Sequence, residues 1–244
     1  MKKNSKNLQG ELVFGVHAIV ELIKAKRRKI THIYTTDPEP KAWKEIAGIM
    51  PKHLGPQYVK KDVLTRMAGT DDHQGIVAFA SPFQFRKKFF DVTKQTFLLM
   101  LDGIQDVRNL GAILRSAYCT GVEGVILTEK NSASMTGACI KASAGLAEYM
   151  EIYIAPSAKA AIVELKAAGY NIYLTTFDGK DASKVTYKAP LCVVIGNEAI
   201  GVSKDILNSG EKITLPQKSS DISYNASVAS GISLFLISNQ LGKI

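Results

Sequence analysis

Apolar residues recur along this chain in short runs, and their spacing changes from one segment to the next. Residues 16–26 set Ala18, Ile19, Leu22 and Ile23 on one side of a 3.6-residue period, which predicts a helix with one buried face. Residues 30–35 predict a strand, 41–50 a helix, and 75–80 (GIVAFA) a buried strand. Residues 81–95, SPFQFRKKFFDVTKQ, carry Pro82, a basic run and no clear period, which predicts a linker. From residue 96 the alternation becomes regular. Strands at 97–101, 124–127, 151–154, 171–175, 191–195 and 213–215 are separated by helices at 110–120, 136–146, 157–168 and 204–207. A closing helix at 226–241 is apolar through much of its girth. Continuous apolar strands between helices predict an α/β fold with a mostly parallel sheet covered on both faces. The expected domains are a small α/β module at 1–80 and a larger α/β domain at 96–244.

Composition narrows the class. The chain has 244 residues, 46% hydrophobic and 22% charged, which suits a globular protein. Its longest apolar runs fall far short of the roughly 20 residues a membrane helix needs, and no apolar stretch directly follows the basic start, so no secretory signal is expected. Cys119, Cys139 and Cys192 form no Cys-x-x-Cys pair, which argues against a disulfide framework or a zinc site and fits a reducing cytoplasm.

Charge and histidine are unevenly placed. Residues 1–95 hold 18 basic and 9 acidic side chains, while residues 96–244 hold 13 of each, so the whole net charge of +9 belongs to the first part. Clusters at 24–29 (KAKRRK) and 86–88 (RKK) concentrate it, as a partner rich in phosphate would favour. His17, His32, His53 and His73 also lie in the first part. Chemistry in the larger domain therefore uses no histidine base, no serine–histidine triad and no histidine-rich metal site. Neither a Gly-x-Gly-x-x-Gly turn after its first strand nor a Gly-x-x-x-x-Gly-Lys-Ser/Thr loop is present, which disfavours ordinary dinucleotide and P-loop folds.

Three segments do not read as scaffold. Residues 102–115 (DGIQDVRNLGAILR) join a strand end to a helix start, with Asn109 as the expected N-cap, Gly111 in the first turn and Arg115 near the same helical face. Together they make a candidate anion site at a strand's carboxyl end. Residues 193–201 (VVIGNEAIG) run a buried strand into Gly196 and then into Glu198, the only acid between Asp181 and Asp205. Residues 213–229 end a short strand at Pro216 and lead through Ser223, Tyr224, Asn225 and Ser227 into the last helix, where Ser223 or Asn225 suits an N-cap.

In order and spacing these segments resemble the three motifs of the SpoU (TrmH-like) family of RNA ribose 2′-O-methyltransferases. The matching residues are Asn109, Gly111 and Arg115; then Gly196, Glu198 and Gly201; then Leu215 and Pro216 with Ser223, Asn225 and Ser227. Phe14–Ala18 (FGVHA) and the HQGIV segment at 73–77 extend the likeness into the first domain, which resembles the ribosomal-protein L30e-like RNA-binding domain of the large-subunit rRNA guanosine branch. The resemblance implies a trefoil-knot methyltransferase domain, a homodimer formed through it, and S-adenosyl-L-methionine as cofactor. The knot comes from the resemblance alone, because threaded chains are very rare. By position, Gly196, Leu215 and Tyr224 would hold the cofactor and Thr175 would line its adenosine side. Asn109, Arg115, Glu198, Ser223 and Asn225 would form the catalytic set, without a metal. Ala199, Gln217 and Tyr224 depart from the family's usual Gly, Met and Leu, and Ala199 would be strained if its position needs a positive φ.

The expected reaction is methylation of a ribose 2′-hydroxyl in 23S rRNA by a cytoplasmic enzyme, with neither DNA nor a membrane as partner. Arg115 is the family's candidate proton acceptor. A guanidinium stays protonated at ordinary pH, so a phosphate clamp is the simpler role. The alternatives are a tRNA ribose methyltransferase, a non-catalytic RNA-binding or ribosome-assembly factor with the same fold, and an enzyme protecting an antibiotic site on rRNA.

Overall fold

Packing groups the chain differently from the order of its segments. In the computed structural model, which describes residues 10–218 and 223–244, one unit ends at Gln84 and also takes in Met135–Tyr149. The other unit holds Phe85–Ser134 and Met150–Ile244. The basic start of the chain and residues 219–222 of the third segment lie outside the described residues.

The first unit is built on a four-stranded sheet of β1 (Glu11–Phe14), β2 (Ile30–Thr35), β3 (Pro56–Tyr58) and β4 (Ile76–Ala80), in the order β1-β4-β2-β3. Every residue of β4 is buried, as its unbroken apolar run requires of a central strand. Helices α1 (Val16–Ala25), α2 (Trp43–Ile49) and α3 (Lys61–Ala68) complete it, with Leu64 of α3 packed on Phe14, Tyr34, Val77 and Phe79. β1, β3 and α3 are absent from the sequence expectation: β1 and β3 are short, and α3 buries only Leu64 fully.

Residues 135–149 belong to this unit by contact. They form α5 (Gly137–Ala142) and a 3₁₀ turn, Leu146–Tyr149. A Cβ on Gly137 would stand 2.5 Å from the Leu12 carbonyl oxygen, and one on Gly145 would stand 2.9 Å from that of His17, so glycine permits both approaches. Buried Arg28 then donates to Glu148 and to Glu11, each at 2.9 Å, and Tyr149 donates to Glu21 at 2.7 Å. Burial raises the Glu148 carboxyl above its ordinary pKa, against the lowering effect of Arg28.

The second unit carries a six-stranded, all-parallel sheet: β5 (Phe97–Asp102), β6 (Gly124–Thr128), β7 (Ile152–Ala155), β8 (Asn171–Asp181), β9 (Leu191–Gly196) and β10 (Glu211–Thr214). Helix α6 (Ala158–Ala168) covers one face, where Leu98, Met100, Cys192 and Val194 meet Ala161, Ile162 and Leu165. Helices α4 (Val107–Cys119) and α7 (Ala226–Gln240) pack together, with α7 against β9. Residues 85–95 are not a loose tether. Arg86 bridges to Tyr153 and donates to Glu151 at 3.1 Å, and Phe90 is buried against Gly124.

The strand order β10-β8-β9-β5-β6-β7 reverses direction beside β5. Chain progress runs outward from β5 to β7, and then resumes on the other side with β8 and β9. Loops at such a reversal part from each other and leave a crevice beyond the carboxyl ends of the strands. Here those ends are Asp102 and Gly196, paired across β5 and β9. β8 adds a second device. Its pairing with β10 jumps from Leu174 to Lys180 while β10 advances by one residue, so residues 175–179 bulge out of the ladder. Sequence periodicity ends this strand at 175, because the residues beyond it are polar or exposed.

Candidate active site at the carboxyl ends of the central strands

Two loops are tied together first. The Asn197 side chain donates to the Gly103 carbonyl at 2.6 Å and accepts from the backbone N–H groups of Ala199 (2.8 Å) and Ile200 (3.3 Å). Its backbone pairs with Gly201 in both directions. Asp102, nearly buried, accepts from the Ser203 N–H at 2.8 Å. The loop carrying Glu198 is thus anchored to the end of β5. Asn197 is the residue sequence reasoning passed over, although it stands between Gly196 and Glu198 in the second segment. Ala199 is not among the residues with positive φ, so the strain foreseen for it does not arise.

Asn109 does not cap its helix. The helix starts at Val107, and Asp106 is the N-cap, accepting from the Arg108 N–H at 2.7 Å. The amide of Asn109, in the first turn, is free for another task. Its Nδ2 donates to Glu198 Oε1 at 2.9 Å, and its Oδ1 accepts from Asn225 Nδ2 at 3.2 Å. Asn225 in turn caps α7, accepting from the Ser227 N–H at 2.9 Å and the Ser227 hydroxyl at 2.6 Å. One chain of hydrogen bonds, Asn225 to Asn109 to Glu198, therefore joins all three sequence segments. Arg115 stands apart. Six residues on a helix turn it about 120° from Asn109, so the two do not share a face, and Arg115 is exposed with no ion pair among the described residues.

Beside this chain lies a cavity of about 230 Å³. Thr175, Gly196, Glu198, Leu215, Ser223 and Tyr224 all line it, as do Phe177 and Thr176 from the β8 bulge. Thr175 is locked by donating to the Val194 carbonyl at 2.9 Å. The Tyr224 hydroxyl reaches the Pro216 carbonyl at 3.4 Å, a long contact. The deep wall is apolar, from Ala182, Ile195 and Ile213, and two buried hydroxyls that line the cavity, Ser233 Oγ and Thr176 Oγ1, have no partner among the described residues. Glu198, at the mouth, is the only charged lining side chain among the described residues. Such a cavity suits a small organic molecule with a flat apolar part and a polar end. No group of His, Cys, Asp or Glu among the described residues could hold a metal ion.

Comparison with known proteins bears on this geometry. Residues 96–235 match the family profile described as "SpoU rRNA Methylase family", and residues 12–86 match "RNA 2'-O ribose methyltransferase substrate binding". An uncharacterized tRNA/rRNA methyltransferase of Archaeoglobus fulgidus is 31% identical over 87% of this chain and 92% of its own length. The 23S rRNA (guanosine-2'-O-)-methyltransferase RlmB of Shewanella oneidensis is 28% identical over 92% and 95%. Among solved structures, the AdoMet-bound rRNA methyltransferase of Sinorhizobium meliloti shares the fold with a TM-score of 0.76, at 20% identity over 95% of this chain and 87% of that one. With both profiles matched in order along the chain, and the three segments meeting at one site, the chain belongs to the SpoU family of RNA ribose 2′-O-methyltransferases.

Proposed function

We propose that this protein methylates a ribose 2′-hydroxyl of large-subunit (23S) rRNA, with S-adenosylmethionine as methyl donor. The observation that carries the reading is the Asn225–Asn109–Glu198 chain at the edge of the cavity. The cofactor fits the described residues: an apolar interior for its base, the orphaned hydroxyls of Ser233 and Thr176, and the Glu198 carboxylate at the mouth. When bound, it supplies a methyl group already made electrophilic by a sulfonium. The protein's share is alignment and proton management.

Gly196, Leu215, Tyr224 and Thr175 hold the cofactor. The fixed amide of Asn109 and the free oxygen of Glu198 orient the ribose hydroxyl, with Ser223 on the same wall. Asn225 keeps the Asn109 amide from flipping, because its own Oδ1 is committed to the helix cap. Arg115, exposed and unpaired, clamps a phosphate of the RNA, and the hydroxyl proton leaves to phosphate or solvent. The knotted chain path implied by the resemblance belongs to the same reading, and a cytoplasmic site of action goes with the substrate.

Two further features support the partners. The excess charge of residues 1–95 suits a polyanion, and the profile matched by residues 12–86 is a substrate-binding one. On α7, Val228, Ile232 and Phe235 form an exposed apolar stripe. A second copy of the chain would cover this face, giving a homodimer.

The test is incubation with tritiated S-adenosylmethionine and, in parallel, undermodified large-subunit rRNA and tRNA. Label in rRNA that survives alkali as a dinucleotide is expected. Label in tRNA alone would keep the chemistry and replace the substrate. No label, with no cofactor binding by calorimetry, would leave an RNA-binding factor that retains the fold.

A further inference from the structure

Helix α7 turns three serines inward, and their surroundings differ. Ser230, Ser233 and Ser238 are 0%, 1% and 0% exposed. Ser230 Oγ donates to the Ala226 carbonyl at 2.6 Å, and Ser238 Oγ donates to the Thr120 carbonyl at 2.5 Å. Ser233 Oγ has no hydrogen-bond partner among the described residues. Native interiors seldom leave a buried hydroxyl unmatched, and an exception asks for a reason. Ser233 is also the one of the three that lines the cavity. A second buried hydroxyl that lines the cavity, Thr176 Oγ1, likewise has no hydrogen-bond partner among the described residues; it sits on the β8 bulge, two residues from Asp178, whereas Ser233 stands on α7 beside the apolar wall.

We propose that Ser233 is a cofactor-binding residue whose hydroxyl pairs with the polar edge of the adenine base of S-adenosylmethionine. The inference rests on the cofactor reading above and assigns a residue to one part of that molecule. Depth and charge decide which part. The wall around Ser233 is apolar and buried, with Ala182, Ile195 and Ile213 exposed by no more than 3%. The ammonium and carboxylate of the methionine end would pay a heavy desolvation penalty there, and among the described residues Glu198 at the mouth is the only charged lining side chain. A flat heterocycle suits the interior, since its faces are apolar and only its edge needs partners. Adenine presents ring nitrogens that accept and an exocyclic amine that donates, and a serine hydroxyl can answer either. The free protein carries the unmatched hydroxyl, and the bound base satisfies it.

The test uses the full-length protein and S-adenosylhomocysteine, which binds without reacting. Calorimetry gives its affinity for wild type and Ser233→Ala, and the melting temperature is measured with and without it. Ser233→Ala is expected to melt slightly higher than wild type when free, because it removes an unsatisfied buried group, and to bind about 3- to 10-fold more weakly. Repeating the titration with the inosine analogue, in which the exocyclic amine becomes a carbonyl, locates the contact. The loss on Ser233→Ala should differ between the two bases if the hydroxyl touches that edge.

Equal affinity of wild type and Ser233→Ala would overturn the proposal, as would a lower melting temperature of the free variant, which marks a structural serine. An equal loss with both bases would also overturn it, since the hydroxyl would then touch some other part of the molecule. Failure of the wild type itself to bind S-adenosylhomocysteine is a different result and would overturn the cofactor reading beneath it.

Discussion

Gly196 shows how little room the site leaves to a single residue. A Cβ there would stand 2.2 Å from the Gly201 carbonyl carbon and from the Val202 nitrogen, both backbone atoms that cannot swing aside. Gly196→Ala must push apart the loop that carries Glu198. The expected cost is about 1–3 kcal/mol of stability, read by urea unfolding, together with loss of cofactor binding. Arg115 tests the opposite kind of residue, exposed and unconstrained. Arg115→Lys keeps the charge but loses the planar fork, so the KM for RNA should rise about 3- to 10-fold while the pH–rate profile keeps its shape. A profile whose basic limb moves with the substitution would instead assign the proton to this side chain. The three segments stood out in the sequence as polar and glycine-bearing stretches at strand ends, while the roles of their residues, and the choice of Thr175, Gly196, Leu215 and Tyr224, came from the resemblance. Asn109 was legible as a site but misread as a cap. Asp106 and Asn109 both suit an N-cap, and only the helix start at Val107 decides between them.

Elements carry the next level of consequence. Residues 136–146 read as an ordinary helix between two strands of the larger domain, yet the stretch 135–149 that contains them packs on β1 and α1 of the first unit. Periodicity says that a helix has a face to bury and is silent about what it buries against. The join is sealed by Arg28 and Glu148, with side chains only 2% and 1% exposed. Removing one partner of such a pair strands the other charge. Arg28→Met should cost roughly 3–5 kcal/mol in the unfolding of this unit, and the double change with Glu148→Leu should recover much of it, as measured by urea denaturation of each variant. If the single and double variants unfold alike, the pair does not hold the segment. β8 makes a similar point: its hydrophobic run ends near Thr175, whereas pairing resumes with β10 at Lys180 after the bulge that forms part of the cavity wall. A slipped register of that kind depends on the neighbouring strand.

At the scale of the whole molecule, the apolar stripe on α7 is the feature that points outward. Val228 is 49% and Phe235 56% exposed, on the face of a helix whose other side is core. On the homodimer reading, light scattering should give a dimer for the wild type and a monomer for Phe235→Asp at the same concentration, with little change in unfolding of the protomer. A variant that remains dimeric would move the interface elsewhere. The sequence expected a final helix apolar through much of its girth, and a helix of that kind needs cover on more than one side.

The chain by itself determined the α/β class, the parallel sheet of the second unit, the three segments that meet at the site, and the lopsided charge. All of these follow from local pattern: strand and helix periods, turn residues at strand ends, and counts of charge. Only the tertiary structure decided that Asn109 bonds to Glu198 rather than capping α4. It also decided that residues 135–149 pack with the first unit and that the Ser233 hydroxyl is left unmatched. These are pairings between residues tens of positions apart, or the absence of one. The choice of a partner is a property of the assembled packing, and no spacing along the chain encodes it.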